Sequence, residues 1–353
     1  MKKLLIFFAA LLPCFLAYSQ EAEETGSYAE FQIIPRFDYN PYFFLRQSGD
    51  GSSGNDFTFG NSSIYTLIEG QFSEHVSFLI NNHWLAGDKS WDATKALYGS
   101  TLYSNSNNWV DLAYVDFNFG NWSFRLGKDC ISSGGFEYDD YDVNVDYLST
   151  ASEGEQKILL ASNLWYNLPG YQWGARAAYS IQDHTTLSFQ MITSPFGERP
   201  FASGLYAYSL RWDGSYGNLS NIWTGSAIQR QDGGFEWLVA LSQRYALGDF
   251  TLGFDWYNTV DIDWGPEGEA PLDLLKGNTF RPSLQWTPSE KFDCCLIGNV
   301  YTRFGLYDLN AGAWFHYYPI KNIQLHAAAA WDYFTNSISA LVGLKVDLTV
   351  LSL

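Results

Sequence analysis

The sequence predicts an all-β protein: a transmembrane, antiparallel up-and-down β-barrel of about sixteen strands, with a long third loop folded into the lumen. Three observations carry this. Apolar and polar residues alternate with a period of two over segments of about ten residues, from near the N-terminus to the C-terminus. Aromatic residues form 18% of the chain and charged residues 16%, against a usual charged share of about 25%, which suits strands that face lipid and end in aromatic girdles. No segment after Gln20 holds the ~18 consecutive apolar residues of a membrane helix.

The N-terminus reads as a secretory signal, with Lys2 and Lys3 followed by an apolar run from Leu4 to Ala17 and the small-residue site Ala17-Tyr18-Ser19. Cleavage after Ser19 divides the chain into a signal peptide, 1–19, and one barrel domain, 20–353. The apolar run is broken by Pro13, and this proline directly before Cys14 argues against a lipid-anchored cysteine. Loss of Lys2 and Lys3 takes the formal charge from −18 to −20, leaving no basic stripe to neutralise phosphates and excluding nucleic acid as a partner. The expected location is the outer membrane, with lipid as the outer contact. Cys130, Cys294 and Cys295 remain and read as small apolar strand residues, because neighbouring Cys294 and Cys295 point to opposite faces of a strand.

The strands follow in order. Alternation places them near 29–38, 59–71, 75–85, 109–119, 122–129, 171–181, 184–194 and 204–213 in the first half. In the second half they fall near 218–228, 234–246, 250–260, 277–287, 292–303, 308–317, 322–332 and 338–350. The pattern is plainest where Phe250, Leu252, Phe254 and Trp256 alternate with Thr251, Gly253 and Asp255, and where Tyr206, Tyr208, Leu210 and Trp212 alternate with Ala207, Ser209, Arg211 and Asp213. The apolar face is four to six residues deep and capped by rings, while the other carries single Arg, Asp, Gln and Ser residues, so the order is apolar-out and polar-in. Asp111 and Asp116 have opposite parity, which requires a bulge or a fault in the alternation between them.

Short turns are expected at Ser73-Glu74, Gly120-Asn121, Gln182-Asp183, Gly214-Ser215, Gly248-Asp249, Pro288-Ser289 and Pro319-Ile320. Seven short turns join eight hairpins into sixteen strands with both termini on the short-turn side. Long loops lie at about 39–56, 85–108 and 129–170. Within the third, 156–166 is too apolar for solvent and reads as a short helix or strand packed inside the barrel, or as an extra strand pair. Sixteen strands leave a lumen wide enough for water, so the expected activity is passive diffusion of small hydrophilic solutes or ions. A substrate-specific transporter and a non-conducting adhesin or scaffold are the competing readings.

The inward positions expected to line the lumen carry Arg125, Arg176, Arg211, Arg244 and Arg281, with Lys128 next to the long loop. Such a row tunes ion selectivity, or else pairs with inward acids such as Asp213, Glu236 and Asp255. The third loop carries Glu137, Asp139, Asp140, Asp142 and Asp146, which read either as the charge at a constriction or as a solvated extracellular acidic loop. The spacing of Asp140, Asp142 and Asn144 starts like a calcium loop, but Val145 stands where glycine is needed and Ala151 where the bidentate glutamate should be, so no metal is expected. Catalysis is not expected either: His75 and His184 lie at short turns, and neither a G-x-S-x-G elbow nor an H-E-x-x-H helix occurs. No cofactor is implied.

The run Phe124-Arg125-Leu126-Gly127-Lys128, followed by Gly134-Gly135-Phe136-Glu137-Tyr138-Asp139, resembles the strand and loop entry of the phosphate-selective porin O/P-type family. The hairpin from Trp173 to Met191 with its tight Gln182-Asp183 turn is similar too. The likeness covers the general layout and is specific over about 122–194. It implies a sixteen-stranded channel, often assembled as a homotrimer in that family, with the third loop forming the constriction. Arg125 and Lys128 match the strand motif, but the loop carries only Lys157 as a cation against many acids, so the resemblance carries over the fold and the channel and not phosphate as solute.

Overall fold

The computed structural model describes residues 27–44, 56–58, 62–86, 110–139, 148–152, 155–161, 170–197, 201–259, 277–303, 306–333 and 336–353. Sixteen long strands form one closed antiparallel barrel. They are β1 Tyr28–Phe44, β2 Ser63–Ser73, β3 Val76–Ala86, β4 Val110–Phe119, β5 Trp122–Cys130, β6 Tyr171–Ile181, β7 Thr185–Thr193 and β8 Tyr206–Tyr216. The remainder are β9 Leu219–Gln229, β10 Phe235–Leu247, β11 Phe250–Thr259, β12 Gly277–Ser289, β13 Phe292–Arg303, β14 Leu306–Ile320, β15 Ile323–Asp332 and β16 Ser337–Val346, the last continued by Leu348–Ser352. Each pairs with its sequence neighbours, and β16 returns to β1.

Closure rests on the β1–β16 ladder, in which Arg36 faces Lys345, Asp38 faces Gly343 and Phe44 faces Ser337. The ladder continues from Ile33↔Leu348 to Glu30↔Ser352 with a bulge between Phe31 and Gln32. At its end Ala29 and Leu353 exchange two backbone hydrogen bonds, of 3.2 and 2.9 Å. Side chains reinforce this seam. Arg36 Nε donates to Asp38 Oδ2 at 2.8 Å, and His326 Nε2 of β15 donates to Asp38 Oδ1 at 2.7 Å. Gly343 makes room for the cluster, since a Cβ there would overlap both His326 Nε2 and Asp38 Oδ1.

Side chains alternate as the sequence pattern requires. Outward positions such as Phe189, Leu210, Leu252, Phe254, Leu296 and Val342 are exposed apolar groups. Inward positions such as Ser188, Ser209, Ser226, Ser242 and Asn299 are polar and buried. Rings gather where the strands enter the short turns: Trp122 lies 4.7 Å from Tyr179, and Phe250 and Trp286 stack at 6.1 Å between centroids. Cys294 is half-buried and Cys295 buried, as neighbours on opposite faces of β13 should be, and no described cysteine forms a disulfide.

The strand pattern holds with local corrections. β1 runs on to Phe44 and forms a small hairpin with Asp56–Thr58, so the first expected loop begins later; Asn40 and Pro41 look like breakers but lie within the ladder. Three turns fall two or three residues later than expected. β8 continues through Gly214-Ser215 and turns at Gly217, whose φ of +60° lies in the left-handed region that glycine adopts freely. Pro288 and Pro319 are absorbed at register shifts between Trp286 and Ser289 and between Tyr317 and Ile320, where a missing N–H costs no ladder bond. The bulge anticipated between Asp111 and Asp116 sits at Asp111, since Asn82 pairs with Val110 and Asn81 with Leu112.

A closed barrel has no edge strand for detergent to fray, so the folded protein should run on a gel differently before and after boiling; a single unchanged band would argue against closure. Asp38→Asn removes the buried carboxylate that Arg36 and His326 share, and the expected loss is about 3 kcal/mol of stability, read as a lower unfolding midpoint in detergent.

Candidate functional site

Where β5 ends, the chain turns inward and runs across the inner face of the wall. Ile131 and the short 3-10 helix Phe136–Asp139 pack there, with Ile131 and Tyr138 joining Ile192, Ala207, Ile228, Leu238, Ala240 and Tyr257 of β7 to β11 in one apolar cluster. Backbone groups of this segment, which would cost several kcal/mol if left bare, find partners on the wall. Gln190 Oε1 accepts from the Ser132 amide at 2.8 Å, and the hydroxyls of Ser226 and Thr224 donate to the carbonyls of Ser132 and Gly134 at 3.1 and 3.3 Å. Gly135 lies against Ser242 so closely that a Cβ would overlap its side chain.

Farther along, Leu148–Ser152 and Glu155–Leu159 pair as a separate two-stranded hairpin. The expected element at 156–166 is thus in part a strand, and it pairs locally without entering the barrel sheet or changing the strand count. Leu160 follows at φ +71°, a conformation uncommon for leucine, and is fully buried against Cys295, Ile297, Ala328, Ala330 and Leu341 of β13, β15 and β16. Its carbonyl accepts from Arg281 Nη2 at 2.8 Å. The loop therefore touches two separate stretches of the inner wall, one through Tyr138 and one through Leu160.

The charged side chains interlock with it. Arg211 forms a two-pronged pair with Asp139 of the loop, both contacts at 2.6 Å, and also holds Asp213 of its own strand. Asp255 accepts two bonds from Arg244, at 2.7 and 2.8 Å, and a third from Arg281 at 3.3 Å. Glu137 lies 4.0 Å from Arg281 Nη2, and the Phe136 ring lies 4.7 Å from the Arg244 guanidinium. Arg125 is clamped between Asp116, at 2.8 and 2.9 Å, and Asp129, at 3.1 Å, with the Tyr114 ring stacked 3.5 Å away. Arg176 faces Arg125 across the β5–β6 ladder and has no ion pair among the described residues.

Lys128 departs from the expected lumenal position. It pairs with Ala113 and Trp173, the parity opposite to Arg125, and is 1% exposed. Its Nζ donates to the Val110 carbonyl at 2.5 Å beside the Asp111 bulge, so its charge serves the wall and not the open lumen. Asp140, Asp142 and Asp146 lie outside the described residues, as does the calcium-like stretch from Asp140 to Val145. His75 and His184 sit at short turns as read from the sequence, and His316 faces His326 across the β14–β15 ladder. Arg36, Asp38 and Arg230 were not singled out by sequence; the two-residue spacing of Arg36 and Asp38 on one strand face was the available signal. Arg230 pairs with Asp232 and Glu236, each at 2.9 Å.

No family model matches the chain, and no curated protein matches it in sequence. Solved structures do. A triple-substitution variant of the Rhodopseudomonas blastica porin superposes with a TM-score of 0.57 at 14% identity, over 91% of this chain and 100% of that one. The outer membrane channel DcaP of Acinetobacter baumannii gives 0.55 at 12% identity, over 91% and 97% of the two chains. At such identities the likeness is one of fold.

Gly135→Val should unseat the loop at a cost of about 1–3 kcal/mol while leaving the ladder closed. The expected outcome is faster proteolytic cutting between 131 and 170 in a barrel that still shifts on boiling.

Proposed function

We propose that the chain is a passive outer-membrane channel for small hydrophilic solutes or ions, with the loop from Ile131 to Ala161 as its constriction. The observation that carries this reading is the loop's double attachment inside a closed sixteen-stranded barrel, on β7–β11 through Tyr138 and Asp139 and on β13–β16 through Leu160. A barrel of this strand number encloses water, and a loop fixed across it narrows the path without needing to move. The outward apolar face supports membrane embedding: a belt of exposed Phe, Leu, Val and Trp around the wall far exceeds the few hundred Å² that a soluble surface tolerates. Residues 1–19 act in this reading as the cleaved export signal, and the homotrimer implied by the family resemblance is the assembly to look for by cross-linking.

Phosphate is not the solute favoured. Of the two cations in the strand motif, Lys128 is buried in the wall and Arg125 is held by two carboxylates.

Purified protein in a planar bilayer should give stable, stepwise currents. Replacing 131–169 by a short linker should raise the single-channel conductance in barrels that still show the boiling shift. Silence from correctly inserted barrels would reject an open channel in favour of a scaffold, and unchanged conductance after shortening would place the constriction elsewhere.

A further inference from the structure

The described guanidinium groups deepest in the site are arranged as fasteners, and where the loop meets the wall at Arg211 the water-facing charge is carboxylate. At the contact between loop and wall, the Arg211 side chain is 12% exposed whereas its partners Asp139 and Asp213 are 42% and 33% exposed. Arg230, 21% exposed, lies between Asp232 at 58% and Glu236 at 6%. Arg281 is 11% exposed and donates from its two Nη atoms to Asp255 and the Leu160 carbonyl, with Glu137 4.0 Å away, while the Phe136 ring lies beside the Arg244 guanidinium. Arg125 is flanked by two acids, Asp116 and Asp129. Only Arg176, among these six arginines, has no carboxylate partner among the described residues, and it stands opposite Arg125, where its charge balances the second of those acids.

A guanidinium with both edges bound to carboxylate has few donors left for a passing anion, and its charge is cancelled at short range. A carboxylate held by one edge keeps lone pairs on its free side and still attracts cations. We infer that the solute-facing field at the narrowing is negative, that the channel prefers small cations over anions, and that Asp139 with Asp213 determines this preference. The inference rests on the channel reading above and names its solute class.

The test is the reversal potential of the full-length protein in a bilayer under a KCl gradient, compared with Asp139→Asn plus Asp213→Asn and, separately, with Arg176→Gln. Asparagine keeps an acceptor for Arg211, so the loop stays anchored, and the boiling shift verifies folding of each variant. The wild-type potential should have the sign of K⁺ permeation. The double variant should lower the K⁺ to Cl⁻ permeability ratio roughly two- to fivefold at low salt, with the difference shrinking at 1 M KCl. Arg176→Gln should raise the ratio. A wild-type potential of zero or of Cl⁻ sign, or a double variant that conducts with an unchanged ratio, would overturn the inference and leave the channel reading standing. Absence of current from inserted barrels would overturn both.

Discussion

Every backbone amide in the wall must find its partner in another strand, because a strand has no internal hydrogen bonds and lipid offers none. An open sheet of fifteen ladders would leave two rows of bare N–H and C=O groups, each costing several kcal/mol in hydrocarbon. The β1–β16 ladder removes both rows at once. Other features of the wall follow from that circle. The pleat fixes which residues face outward, the strand number fixes the width, and the width leaves an interior that the side chains of the wall alone do not fill.

That unfilled interior explains the loop. Its apolar residues Ile131, Tyr138 and Leu160 find a buried place only on the inner wall, where Ile192, Ile228, Leu238, Ile297 and Leu341 interrupt an otherwise polar face. The position of the charges is set by the same geometry. A guanidinium on a strand reaches a carboxylate two residues along the same face, as in Arg211–Asp213, or across a ladder, as in Arg244–Asp255, and a second carboxylate from the loop completes the set. In the proposed channel, selectivity and mechanical anchoring would use the same atoms, so a substitution at Arg211 would alter both.

Much of this was legible in the sequence. Period-two alternation located sixteen strands, and β6 and β13 were placed to the residue. Alternation is also what assigns Arg125, Arg176, Arg211, Arg244 and Arg281 to the polar face of their strands. The misses have local causes. Prolines and glycines mark turns in soluble proteins, but Pro288, Pro319 and Gly214 sit inside strands because a bulge or a neighbouring ladder accommodates them. Lys128 was misplaced because charge suggested the lumen, whereas its place in the ladder gives it the parity of Ala113 and Trp173. Pairing partners such as Arg281 with Leu160 stand 121 positions apart and leave no mark in any short window. The same holds for the seam cluster.

The bond between Asp38 and His326 spans 288 positions of chain. Contacts of such separation form late, because the entropy of closing so large a loop is lost before any contact compensates it. Until then β1 and β16 are free edges, each able to add a strand from another molecule. The event that closes this barrel is thus also the one that removes its two free edges, and an escort that shields them until then would raise the share of the protein that reaches its closed form.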